Sequence, residues 1–286
     1  MNKALKYIGI ISGCVLTQHL LNRSYLYLKS GKPRVNAKQL QSENFYKWRF
    51  GQIRYKIIGK GKPLLLIHGI YPGADMTQWK DIDPVIFQSF KVYAVDLLGF
   101  GRSSKPNISY TAYLYVRLIN EFIRDIIQEP VITIASDYSA AYTVMGYIFN
   151  PELYIKQILI SPTGITNAYK LPVLKDFIIR ILLGLPVWGT SAYLFLTNKF
   201  LGNTMVKRLW KKRSIATDIP RHISPTAYFG GPSVKYPITA LLSNYLNVNI
   251  MDKLKRMQIP VLMMSNEHWE IQSTKEFTKI MDFIKP

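Results

Sequence analysis

A single cysteine, Cys14, in 286 residues excludes an intramolecular disulfide framework and any zinc site built on clustered thiolates. Histidine is nearly as scarce: His19, His68, His222 and His268 are the whole supply of imidazole for acid–base chemistry. Acidic residues number 17 against 37 Lys+Arg, and none precedes Glu43. Repeats and low-complexity tracts are absent. With 48% hydrophobic and 19% charged residues, the chain can bury a substantial core, and disorder or a collagen-like array is ruled out. The formal charge of +20 points to an anionic neighbour such as a lipid surface, a nucleic acid or an acidic ligand. A surplus that is mostly lysine decides little by itself.

The missing acids at the start leave an apolar segment in a basic frame. Residues Ala4 to Leu21 are mostly apolar, interrupted by Lys6, Gln18 and His19, marginal against the roughly 20 apolar residues of a membrane span. Lys3 and Lys6 precede it, and Arg23, Lys29, Lys32, Arg34 and Lys38 follow. By the positive-inside rule this predicts a membrane-associated chain with its main domain on the cytoplasmic side. Ile11-Ser12-Gly13-Cys14 also has the form of a bacterial lipoprotein cleavage box, behind an apolar run shorter than a signal peptide needs. Residues 1–42 are expected to form an apolar, basic helix, either a membrane anchor or an amphipathic helix packed on the domain.

From Glu43 onward strands and helices alternate. Phe45–Phe50 and Gln52–Ile58, parted by Gly51, predict a strand pair, and Leu64–Ile67 a strand buried on both faces. Then come a helix over Met76–Phe90, a strand over Lys91–Val95, a helix over Tyr113–Gln128 and a strand over Val131–Ala135. A helix over Ser139–Phe149 and a strand over Ile155–Ile160 complete the series. Such alternation means an α/β fold, a mostly parallel central sheet covered by helices, with its chemistry at the carboxyl ends of the strands.

Three strand ends carry candidate residues: His68-Gly69-Ile70, then Asp96-Leu97-Leu98-Gly99-Phe100-Gly101-Arg102-Ser103, then Ala135-Ser136-Asp137-Tyr138-Ser139-Ala140 before a helix. Together they resemble the α/β-hydrolase superfamily, closest to its branch of haloalkane dehalogenases and epoxide hydrolases. The likeness is good over residues 43–165 and looser over 259–272. It implies an α/β-hydrolase core made of residues 43–164 and 259–286, with a helical cap over 165–258.

In that superfamily the nucleophile sits on a tight strand-to-helix turn of the form Gly-x-Ser-x-Gly, flanked by small residues. Ser136 would put Ile134 two positions before it, and Ser139 would put Asp137 there. Asp137 has Ala135 before and Ser139 and Ala140 after, so Asp137 is placed at the elbow. An aspartate there matches the nucleophile of the dehalogenase and epoxide hydrolase branch, which forms an alkyl ester that an activated water hydrolyses. The helix N-terminus is expected to keep it ionised. Backbone N–H groups of Ile70 and Tyr138 would be the oxyanion donors, with His68 in the same loop, structural in the family more often than catalytic. The plain alternative is that Asp137 only caps the helix.

The resemblance also has gaps. Ala135 and Ser139 replace both elbow glycines, which is expected to strain a turn needing positive φ. Ile70 and Tyr138 stand where dehalogenases place a polar residue and a Trp for halide. The loop Ser265–Glu270 follows the strand Ile259–Met264 where the family often places its acid; Trp269 falls near that position, with Glu267, the candidate, and Glu270 beside it. The family's histidine belongs after one further strand, whereas the sequence reaches Pro286 through one helix-like stretch, Thr274–Ile284. His268 is the substitute base or a surface residue.

The cap holds 14 basic and 3 acidic residues, including Lys207-Arg208-Leu209-Trp210-Lys211-Lys212-Arg213. That run reads either as a solvated helix face or as a contact for anionic lipid head groups. Nucleic-acid binding is the weaker expectation, since no recognised motif accompanies the charge. No metal or organic cofactor is implied. Two functional readings stand: a hydrolase of a small or lipid-like apolar substrate working through Asp137, or a catalytically degenerate member that binds a ligand or partner at a membrane.

Overall fold

In the computed structural model, residues 3–30, 43–80, 82–165, 172–197, 225–264 and 274–284 are described. Seven strands form one sheet: β1 (Asn44–Trp48), β2 (Gly51–Ile58), β3 (Lys62–Ile67), β4 (Phe90–Val95), β5 (Val131–Ser136), β6 (Tyr154–Ile160) and β7 (Val261–Met264). Their order is β1-β2-β4-β3-β5-β6-β7. β1 and β2 are antiparallel, β2 runs antiparallel to β4, and the other pairs are parallel. The sheet is thus mostly parallel and wound both ways from β3.

Apolar runs on the central strands serve two cores at once. Leu65 and Ile67 face one buried cluster together with Val131 and Ala135. Leu64 and Leu66 face the other with Ile132 and Ile134. All of these side chains are buried, which explains why β3 and β5 are unbroken hydrophobic stretches rather than alternating ones.

Helix α1 (Lys3–Ser30) precedes the sheet. Helices α2 (Ala112–Phe122) and α3 (Asp137–Phe149) pack together on one face. Between β6 and β7 lie α4 (Leu174–Gly184), α5 (Trp188–Leu196) and α6 (Lys235–Leu242), and α7 (Thr274–Ile284) follows β7. Thr111 caps α2 by accepting from the Leu114 N–H at 3.2 Å.

Three expectations need correction. The helix predicted over Met76–Phe90 is instead a turn of 3-10 helix at Met76–Trp79 and one α turn at Ile86–Ser89. Pro84 intervenes, and a proline disfavours helical geometry in the residue before it. The helix predicted to reach Gln128 is regular only to Phe122, then widens into a π turn and ends at Gln128 with φ +62°. The helix placed at Ser139 begins two residues earlier, at Asp137 itself.

Candidate active site

The chain leaves β3 toward β4 on one side and later returns as β5 on the other. Their carboxyl ends part there, and such a switch point is where open α/β sheets form a crevice. From β3 comes His68-Gly69-Ile70, and from β5 comes the turn into α3.

At that turn Ser136 is extended (φ −117°, ψ 152°), and Asp137, the first residue of α3, takes φ +56°. The left-handed backbone falls on the aspartate and not on the positions that glycine fills in the family motif. Ala135 and Ser139 therefore carry no such strain, contrary to the sequence expectation. Smallness matters at these sites for another reason: both residues are fully buried, and the Ser139 hydroxyl donates to the carbonyl of His68 at 2.6 Å. That bond ties the elbow to the loop after β3.

The Asp137 carboxylate is 1% exposed. Its Oδ2 accepts from the N–H of Ile70 at 3.2 Å, and the N–H of Tyr138 also donates to the carboxylate. Oδ1 is buried with no hydrogen-bond partner. Burial pushes the carboxyl up to about 7, against the two backbone N–H groups that lower it. Desolvation outweighs the helix terminus here, so the expectation of a plainly ionised aspartate is corrected: near neutral pH the group is divided between its two forms.

His68 was a candidate for the oxyanion or substrate-binding set, and the geometry gives it other work. Its Nε2 accepts from the Leu97 N–H at 3.1 Å, so its Nδ1 carries the proton, donated to the Gly69 carbonyl at 2.6 Å. The ring is fully buried against Phe100, and burial holds its pKa below the usual histidine range. Neutral His68 pins the loops after β3 and β4 together. Glu267 and His268 lie outside the described residues.

The Asp96 loop is a scaffold. Asp96 Oδ1 accepts from the N–H of Met76 at 2.7 Å, and Oδ2 from the N–H of Arg102 at 2.9 Å and Arg54 Nη1 at 3.0 Å. Glu43, itself buried, pairs with Arg54 at 2.6 Å and Arg102 at 2.9 Å. Gly101 has φ +50°, and a Cβ there would lie 2.2 Å from the Asp96 carboxylate. Glycine is required by both conformation and space.

Sequence reasoning missed Gln78. Its Oε1 accepts from the Gly69 N–H at 2.9 Å, and its Nε2 donates to Ser136 Oγ at 2.7 Å. One buried amide thereby fixes the spacing between the loop bearing Ile70 and the strand bearing the elbow. No motif marks it, since it sits in a segment with the pattern of an ordinary helix. Tyr138 presents its backbone N–H to Asp137 while its hydroxyl donates to Asn247 Oδ1 at 3.1 Å, joining the elbow to the segment between α6 and β7. Among the described residues no group of His, Cys, Asp and Glu is arranged to hold a metal ion.

The model of the Alpha/beta hydrolase family matches residues 64–274. A 2-hydroxy-6-oxo-6-(2'-aminophenyl)hexa-2,4-dienoic acid hydrolase of Metapseudomonas resinovorans is 31% identical over 132 residues, 44% of this chain and 46% of that protein. A haloalkane dehalogenase of Agrobacterium fabrum is 26% identical over 122 residues, 43% and 39% of the two chains. The match thus spans less than half the length of either relative. Among solved structures, a serine hydrolase involved in carbazole degradation superposes with a TM-score of 0.57 at 20% identity, covering 84% of this chain and 86% of that one. That likeness is one of fold.

Proposed function

This chain belongs to the alpha/beta hydrolase family, and from that premise we propose that it hydrolyses a small or lipid-like apolar substrate by attack of Asp137. The observation carrying this reading is the division of labour within one carboxylate: Oδ2 accepts from the Ile70 N–H, the Tyr138 N–H also donates to the group, and Oδ1 is buried and unpaired. A free, desolvated oxygen is a nucleophile in waiting.

Attack at a saturated carbon uses this arrangement without rebuilding it. A lone pair of Oδ1 forms the new C–O bond, and the bond from that carbon to its leaving atom breaks with its electron pair. Oδ2 becomes the carbonyl oxygen of the resulting ester, still facing Ile70 and Tyr138. Water then adds to Cγ and gives up a proton to a base. The negative charge that develops on Oδ2 meets the same two donors, the place where oxyanion stabilisation contributes most. Collapse expels the alkoxide, which takes a proton to leave as an alcohol and restores Asp137. An acyl ester would instead need to displace Oδ2 before its own carbonyl reached those donors. Alkyl electrophiles such as epoxides are therefore the preferred class. Dry surroundings suit an apolar one.

A second reading, a catalytically degenerate ligand-binding member, is favoured by the described neighbours of Asp137. Its hydrogen bonds come from backbone N–H groups, and His68 is already committed to backbone partners. The test is intact mass after incubation with epoxides, haloalkanes and aryl esters. An adduct on the wild type that Asp137→Asn lacks, formed with the first two classes and weakly with the third, supports the hydrolase reading. A protein that gives neither adduct nor turnover belongs to the binding reading.

A further inference from the structure

Helix α4 is inside out. Its apolar residues Leu174, Phe177, Ile178, Ile181, Leu182 and the following Leu185 recur at the spacing of a core-facing stripe. All six are exposed, Leu174 at 75%. The polar side is what packs against the protein. Asp176 is buried and accepts from Asn244 Nδ2 at 3.0 Å, and Arg180 bonds Ser109 and lies 4.4 Å over the ring of Tyr245. Trp188, at the corner into α5, is 72% exposed.

Helix α1 continues this surface. Asn22 donates to the carbonyl of Val187 at 3.2 Å and to Ser191 Oγ at 2.9 Å, which seats α1 beside that corner. Leu26 is buried, yet Leu5, Ile10, Val15, Leu20 and Leu21 stand in solvent on all sides of the same helix. A helix apolar all round wants burial. Among the described residues no single helix is long and apolar enough to cross a membrane; α4 and α5 pass such a test only as a pair bent by 95°.

Charge identifies what covers the surface. Residues 1–42 hold 7 basic and no acidic side chains, and residues 165–258 hold 14 basic and 3 acidic. The remaining 150 residues hold 16 basic and 14 acidic, nearly neutral. A lysine-rich composition would have spread the excess over the whole chain. It is confined instead to the two segments that display bare apolar faces. Like charge opposes a second copy on this face, and a nucleic acid offers nothing to cover the leucines and isoleucines. An anionic bilayer satisfies both needs, with Trp188 suited to its interface.

We propose that α1 and the α4–α5 corner form one docking surface for a bilayer containing anionic phospholipid. It stands whether or not Asp137 reacts. The test is flotation of the full chain with vesicles of phosphatidylcholine, with and without phosphatidylglycerol. Wild type is expected to float with the mixed vesicles, and added salt to weaken this. Ile178→Glu combined with Ile181→Glu is expected to weaken it by about tenfold or more, and Ile8→Glu to do so from the other helix. All three positions are exposed, so folding is preserved, as circular dichroism checks. Phe149→Glu, an exposed apolar site on the core, is expected to float like wild type. Unchanged flotation of the Ile178/Ile181 variant overturns the proposal. So does a wild type that ignores vesicles and self-associates in sedimentation until that variant disperses it.

Discussion

The backbone N–H of Ile70 points at Oδ2 of Asp137 across 3.2 Å, joining two strand ends that are neighbours in space and 67 residues apart in the chain. Everything that holds this distance also holds the candidate chemistry, and each support makes a separate measurable claim.

Titration of Asp137 should be visible in stability. Its carboxyl sits at about 7 in the fold and near 4 when unfolded. Between those values the unfolded chain releases a proton that the folded chain keeps. The contribution of the group is thus fully present below about pH 4 and lost as pH rises through about 7. Asp137→Asn is expected to match wild type at pH 4 and to exceed it at pH 8 by roughly 2–4 kcal/mol. Urea denaturation at the two pH values checks this. Adduct formation on wild type, which needs the ionised form, should rise with pH and level off above about 7.

Gln78→Leu removes both bonds of the amide that spaces the two loops. The Gly69 N–H then loses its partner in a buried setting, at about 1–3 kcal/mol. Thermal unfolding reads that part. If Gln78 positions the donors, the rate of adduct formation falls at saturating substrate while apparent binding changes little. A purely structural role would leave that rate alone.

Gly101→Ala sets a methyl group against the Asp96 carboxylate, which cannot retreat because three donors hold it. The φ of +50° adds strain of about 1–2 kcal/mol. A loss above about 2 kcal/mol is expected from the two effects together, read as the shift of the urea midpoint.

Arg54→Met removes the cation between Glu43 and Asp96. Arg102 still pairs with Glu43, but Asp96 keeps only backbone donors in a fully buried place. Destabilisation of about 3–5 kcal/mol is expected. Arg54→Met combined with Asp96→Asn should recover part of it, which a double-mutant cycle measures.

Much of the fold was legible in the chain because the central strands are buried on both faces. Runs such as Leu64–Ile67 and Val131–Ala135 have no other reading at that length. The elbow was legible from small residues around Asp137, although the reason assigned to them was incomplete: they make room, while the aspartate itself takes the unusual backbone angle. Segment 76–90 misled because apolar periodicity outweighed Asp83-Pro84. The proton balance of Asp137 was hidden since burial is a property of the assembled fold, whereas a helix terminus can be read locally. Gln78 was invisible for the same reason. It matters through two partners distant in sequence, and its own neighbours look ordinary. The apolar stripe of α4 can be read from its spacing, but its direction depends on where Asp176 and Arg180 find their partners.

The positive φ at Asp137 leads somewhere else. An L-residue with a side chain is about 1–3 kcal/mol uphill in that region, and glycine escapes most of this. Asp137→Gly should therefore give a hardier but inert protein, relieved of a contorted joint and of a stranded charge together. Stability measured on that variant reads how much of the fold's free energy is tied up in this one joint.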